Sequence, residues 1–457
     1  VYVAYLNNTI NNRTFTFDEG SIIDGTVHIA TGTGQDTHPV VGITKWVDNC
    51  RAIGTVTSTV RVGSFYCTGL NIDKIRITEV NSSYINQTIE GGTFGVHLYA
   101  GTKRCTIGEI LIDSSTAGVY GLGIDRAATL DADHTPEDIT INKLVIKNST
   151  QALLNTNGTK NLTIHEIVAD SWDTYNAISN TADEGLYIGK ITAHGSPVVA
   201  SRDGIYCLNG ISATYGDIDI SGSTQIGVRT FNCGEVNFGN IKSSGNALDQ
   251  VRIESNGYIK SIKVSGGGSG DGVVIQGAAD GLFVGSIDSD GGGSITVTAD
   301  DVTVTRMTSK NSATIGLGYG VNLSGCLGFT NSYLVSDGNA QGLRAINMTD
   351  TSMGVIDIKN NNFGIVGSNV SGWSHQAIRY SNNTTYNTNI NLEGVPNFRG
   401  KLSKASVSAD RGNNNVTLTV GTDAPTQRFA TALTATKVIT FSTANAQTGD
   451  RFRIVRT

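Results

Sequence analysis

Proline is nearly missing from this chain, with 5 in 457 residues, and tryptophan and methionine number 3 each. So little proline argues against a proline-rich disordered chain, and 56 glycines argue against long helices, whose interiors glycine destabilises. No apolar run approaches a membrane-spanning length, so insertion in a membrane is not expected. The opening residues, VYVAYLNNTINN, lack the charged and apolar stretches of a leader, as a mature or excised fragment would. A dominant charge is also missing: 33 basic residues face 39 acidic ones, for a net charge of −6. Nothing in that balance points to nucleic acid or an anionic membrane as a partner. The six cysteines form neither a CxxC pair nor a dense framework, and most fall on strand-like positions, where a thiol acts as a small buried hydrophobe.

What the chain does contain is repetition. YGDIDI at 215 has relatives in IGEILI at 107, IGKITA at 188, FGNIKS at 238, IKSIKV at 259 and VGSIDS at 284. Their central apolar residues extend to a series: Ile110, Leu144, Ile167, Ile191, Ile218, Ile241, Ile262, Ile287 and Met307. Subtracting successive numbers gives intervals of 34, 23, 24, 27, 23, 21, 25 and 20. A period in the twenties marks a solenoid. Ile and Val on the strands, with Asn, Ser, Thr and Gly between them, fit neither a leucine consensus nor helical connections. Each period has room for about three short strands and three turns, the coil of a single-stranded parallel β-helix.

A second alternating strand precedes each marker: GIYCLNG at 204, GVRTFNC at 227, QVRIES at 250, GVVIQG at 272 and GLRAIN at 342. Period-2 alternation sends Ile205, Val228, Val251 and Val273 into the lumen, followed by Cys207, Thr230, Ile253 and Ile275. Tyr206, Arg229, Arg252 and Val274 then form one outward column, and Leu208, Phe231, Glu254 and Gln276 the next. Residues 1–60 read as strands capping the open end of the helix, and 61–395 as the coils. Residues 396–457 read as a C-terminal β domain. Two intervals, Ile75 to Ile110 and Ile110 to Leu144, exceed the norm by about ten residues, which predicts overhanging loops near 81–104 and 113–138.

The coil pattern, the late change of composition and the segment TALTATKVITFSTANAQTGDRFRIVRT are similar to bacteriophage tailspike proteins. The match is residue-specific only over those last thirty or so positions. This resemblance implies a right-handed β-helix, a homotrimer, and attachment to a virion tail through an N-terminal domain not included here. It also implies an enzyme that binds and cuts a bacterial surface polysaccharide such as capsule, exopolysaccharide or O-antigen.

Glycoside hydrolysis usually takes two carboxyl groups, one to protonate the leaving oxygen and one to act as base or nucleophile. Asp203, Asp249 and Asp271 align at one turn position, each two residues before a lumenal Ile or Val, with Ile226 in the intervening place. Asp203, Asp249 and Glu254 are therefore the candidate catalytic carboxylates. Each has a plainer reading, as a turn aspartate capping nearby N–H groups or as a surface charge beside an arginine. Candidate sugar contacts are Arg202, Arg229, Arg252 and Tyr206, joined by Trp172, Asp173 and Tyr175 of the turn DSWDTYNA. The loop after Tyr120 holds Asp125, Arg126, Asp131, Asp133 and His134 and would wall a cleft, contact a trimer neighbour or be an ordinary solvated loop. No acid cluster suggests a metal, and no cofactor is expected. Tyr206 with Arg229 would equally suit β-elimination at a uronic acid, and a spike that only binds its receptor would use the same groove.

Overall fold

The computed structural model describes 103–113, 119–125, 135–147, 154–169, 176–195, 203–312, 318–384 and 386–391. It also describes 14–16, 28–30, 47–48, 51–58, 63–68, 71–77 and 93–98, and, towards the C-terminus, 411–418, 426–429, 436, 438–442 and 453–456. Among these residues there is no α-helix, and every strand pairing is parallel. The chain is a parallel β-helix.

The repeat markers lie on one ladder. Val56, Ile75, Ile110, Leu144, Ile167 and Ile191 pair in succession, then Ile218, Ile241, Ile262, Ile287, Met307, Leu334, Ile356 and Ile378. From Ile110 onward all of these side chains are buried, stacked at the coil spacing of about 4.8 Å. A lumen only a few side chains wide suits Ile and Val, which fill space on a pleated surface with little rotamer freedom to lose.

The glycine of YGDIDI and its relatives sits where this strand turns a corner. Along Ser212–Ser221, Tyr215 and Ile218 point inward while Gly216 and Asp217 both face out, which breaks the alternation and bends the strand. The bend brings neighbouring coils into close contact. A Cβ at Gly189 would lie 2.7 Å from the carbonyl oxygen of His165, and one at Gly239 2.7 Å from that of Gly216. At Gly216 it would collide with the carbonyl oxygen of Gly189. Glycine at these three corners leaves out a side chain that would separate the coils, whereas Asn142, His165 and Lys260 take the same place on other coils.

A second sheet carries the upstream strands. Leu154–Asn157, Ile178–Thr181, Ile205–Leu208, Val228–Phe231, Val251–Ile253, Val273–Ile275 and Ile295–Val297 pair in that order. Ile205, Val228, Val251 and Val273 are fully buried, as are Thr230, Ile253 and Ile275, with Cys207 nearly so. Cys105, Cys233 and Cys326 are buried free thiols as well.

The long intervals hold more strand than the sequence suggests. Thr93–Leu98 and Val119–Asp125 are rungs of this second sheet, with Val96 paired to Leu122 and Leu122 to Leu154. The alternation in VYGLGID is weak because Gly121 and Gly123 flank Leu122 and give the intervening positions no polar signal. At the N-terminal side, Arg51–Ser58 pairs with both Thr14–Thr16 and Asn71–Ile77. Near the C-terminus, Val416–Leu418 pairs with Ile439–Phe441, and Thr426–Phe429 with Arg453–Arg456.

Candidate functional site

Consecutive rungs of the second sheet place one outward residue above the next. Ser179, Tyr206, Arg229, Arg252, Val274 and Thr296 form one such column in unbroken register, in which Val274 alone is buried. Thr181, Leu208 and Phe231 begin the column two residues along. Glu254 and Gln276 continue it by sequence offset, joined by a hydrogen bond from Gln276 Nε2 to Glu254 Oε1 of 3.1 Å.

At the strand entries, polar side chains cap the turn of the following coil. Asp203 N–H donates to Asn176 Oδ1 at 3.0 Å, Ile226 N–H to Asp203 Oδ1 at 3.1 Å, and Asp271 N–H to Asp249 Oδ1 at 2.9 Å. One carboxylate oxygen of Asp203 and of Asp249 thus has a structural task. The second oxygen faces an arginine. Asp203 Oδ2 lies 3.7 Å from Arg229 Nη1, on the next coil. Asp249 Oδ2 accepts from Arg252 Nε at 2.8 Å and also from Arg252 Nη2. Asp271 is held differently, accepting from Ser294 Oγ at 2.7 Å and Thr296 Oγ1 at 2.8 Å.

These environments separate the acids. Burial pushes the Asp203 carboxyl above its ordinary value, while the Ile226 N–H and the charges of Arg229 and Arg252 pull the other way. Burial also raises Asp271, against its bonds to Ser294 and Thr296, and the nearby charge of Asp249 adds to the rise. Asp203 and Asp249 are 4% and 5% exposed, so each offers the surface little more than one carboxylate edge.

Arg229 lies between aromatic rings. Its Cζ is 5.3 Å from the Tyr206 ring centre and 5.5 Å from that of Phe231, which is 40% exposed. Among the described residues its Nε has no hydrogen-bond partner. Burial raises the Tyr206 phenol above its usual value, Arg229 opposes this, and the charges of Asp203 and Glu254 reinforce it. At neutral pH the phenol is therefore a proton donor.

Arg252 turns to Asp249, so Glu254 lacks the arginine expected beside it. Among the described residues only the Gln276 amide bonds its carboxylate. Glu254 also stands five residues beyond Asp249, up to about 16 Å along an extended chain. Its charge and that of Asp203 both reach the Tyr206 phenol.

Trp172, Asp173, Tyr175 and Arg202 lie outside the described residues, as do Asp170, Arg126, Asp131, Asp133 and His134. Asp125 ends the strand Val119–Asp125. The structure adds two groups to the outer site. Phe231 extends the aromatic platform, which its outward position made readable, and Gln276 orients Glu254. It also reveals a lumenal acid, Asp183, 2% exposed and bonded by Thr156 Oγ1, by Thr159 N–H at 2.9 Å and by Thr159 Oγ1 at 2.8 Å. TADEG at 181 has the same Asp-before-turn character as the surface acids, and nothing local marks it as buried. Neither a family model nor any curated protein or solved structure matches the chain.

Proposed function

We propose that this outward face of the second sheet binds a bacterial surface polysaccharide and hydrolyses it at internal glycosidic bonds. The observation that carries the reading is the placement of Asp203 and Asp249 at one turn position two coils apart, with Arg229 reaching out from the coil between them. Two coil steps are about 9.6 Å. That is close to the upper limit of the wider carboxyl separation, roughly 6.5–9.5 Å, which leaves room for a water and gives inversion at the anomeric carbon.

In this scheme Asp203, whose carboxyl burial pushes upward, is the acid that donates a proton to the leaving glycosidic oxygen. The Asp249 carboxylate, with its charge balanced by Arg252, takes a proton from the attacking water. Tyr206, Arg229 and Phe231 supply ring faces and N–H donors for a sugar, and Glu254 with Gln276 binds hydroxyls further along the chain. Rigid strands hold these groups, so little ordering is left to binding. The similarity of the last residues to tailspikes supports a trimeric, virion-borne spike as the setting.

Tyr206 favours hydrolysis over elimination, because a phenol raised by burial is a poor base at neutral pH. The test is to incubate the purified chain with surface polysaccharides from a panel of bacteria, scoring reducing ends and the absorbance of unsaturated uronates together. Reducing ends without absorbance are expected. Absorbance rising in step would move the reaction to elimination, and tight binding with neither signal would leave a receptor-binding spike.

A further inference from the structure

Directly beneath the outer face, two thiols from neighbouring coils meet. Cys207 lies on Ile205–Leu208, flanked by the outward Tyr206 and Leu208, and Cys233 closes the turn just after Phe231. Their sulfurs are 3.3 Å apart, and Cys233 Sγ is also 3.3 Å from the carbonyl oxygen of Cys207. No other pair of the described cysteines makes such a contact: Cys105 Sγ donates to Lys103 O at 3.3 Å, and Cys326 Sγ to Val297 O at 3.1 Å. We propose that Cys207 and Cys233 form a redox-reversible disulfide that ties the coil bearing Tyr206 to the coil bearing Arg229 and Phe231, with a small peroxide as oxidant.

The geometry needs little adjustment. A disulfide bond is about 2.05 Å long, so the sulfurs must close by about 1.3 Å. Cys233 is in a turn, 7% exposed, between exposed Asn232 and Gly234, which gives a small oxidant a short way in. The two thiols also differ in character. The hydrogen bond with Cys207 lowers Cys233, burial opposes this, and backbone hydrogen bonds at Gly210, Phe231 and Asn209 add to the lowering. The same bond, together with burial, raises Cys207. Cys233 is therefore the attacking sulfur and Cys207 the resolving one.

The chemistry balances in two steps. The Cys233 thiolate attacks one oxygen of hydrogen peroxide, the O–O bond breaks, and hydroxide leaves and is protonated to water, giving a sulfenic acid. The Cys207 sulfur then attacks Cys233 Sγ, the S–O bond breaks, and the hydroxyl leaves as a second water with the Cys207 proton. Both sulfurs are oxidised, and the peroxide is reduced to two waters.

Treating the reduced, folded chain with hydrogen peroxide, alkylating free thiols and mapping peptides without reductant tests this. A Cys207–Cys233 linked peptide, two hydrogens lighter than its parts and released by dithiothreitol, is expected, with an unfolding midpoint higher than that of the reduced chain. The cross-link should persist in Cys105→Ser and Cys326→Ser, and Cys233→Ser should leave Cys207 free for alkylation after unfolding. Sulfinic acid at Cys233 without a cross-link, a link to a different cysteine, or no change at either residue would each overturn the proposal. Because the unmodified chain gives the primary readout, a variant that fails to fold does not spoil the test.

Discussion

Arg252 folds back to hold Asp249, three residues earlier, with Nε 2.8 Å from Oδ2, while Asp249 Oδ1 caps the Asp271 N–H of the next coil. One carboxylate thereby joins a coil turn to a surface charge. Its structural and catalytic parts separate by substitution. Asp249→Asn keeps an oxygen for the Asp271 N–H and should cost about 1 kcal/mol, whereas Asp249→Ala leaves a buried donor unpaired and should cost about 2–3 kcal/mol. Guanidinium unfolding distinguishes them. Both should lower kcat at least about 10²-fold if Asp249 is the base. Equal activity in Asp249→Asn and the unchanged chain would remove it from the reaction.

Tyr206→Phe tests the reaction class. The ring that stacks on Arg229 stays and only the hydroxyl is lost. Hydrolysis through Asp203 and Asp249 predicts kcat within about threefold of the unchanged chain, while a tyrosine base would make the loss about 10²-fold or more. Tyr206→Ala should instead raise KM by about tenfold, the equivalent of one cation–π platform. Initial rates on a polysaccharide that the chain cleaves give both numbers.

The corner glycine makes a prediction about stability alone. In Gly216→Ala the new methyl collides with the Gly189 carbonyl oxygen, which belongs to a neighbouring coil and cannot swing away as a side-chain tip would. Overpacking of this kind should cost about 3 kcal/mol. Gly245→Ala meets no atom within 4 Å, and its φ of +64° leaves only the left-handed penalty of about 1–2 kcal/mol. Thermal unfolding of the pair checks the order, and a reversal would show that the corner yields.

The helix itself was legible because its signal is one-dimensional. A residue every twenty-odd positions must fall on the same rung, so Ile110 to Met307 could be stacked by counting. Inward and outward faces followed from period 2, which placed Tyr206, Arg229 and Arg252 in one column. The site was less legible, because partner choice depends on where long side chains turn. Arg252 has Asp249 and Glu254 at similar sequence distances, and only the fold shows that it takes Asp249. Burial of an acid was the least readable feature, because Asp183 and the surface aspartates occupy similar turn sequences.

Asp183 gives the chain a distinctive dependence on pH. Burial raises its carboxyl from 3.8 to about 6, although Thr156 and Thr159 donate three hydrogen bonds to it. Around it, Asn180 Nδ2 donates to Thr156 Oγ1 at 2.6 Å, and Tyr215 O–H to Asn180 Oδ1 at 2.7 Å; among the described residues no cation offsets a charge there. The folded chain holds this proton more tightly than the unfolded chain. Its stabilising effect is complete below about pH 3.8 and fades as pH rises towards 6, because the unfolded state gives up the proton first. The shift of 6 − 3.8, about 2.2 units, corresponds to about 3 kcal/mol lost across that window. Asp183→Asn has no proton to lose, so its unfolding free energy should change less between pH 4 and 6. Asp203 and Asp271, raised in the same sense, and Glu166, lowered chiefly by its bond to Lys190, titrate in both proteins and cancel in the difference. Guanidinium unfolding of the two chains at half-unit steps should therefore give a difference that grows with pH through this window and flattens above it. A difference independent of pH would mean that Asp183 is ionised in the lumen throughout.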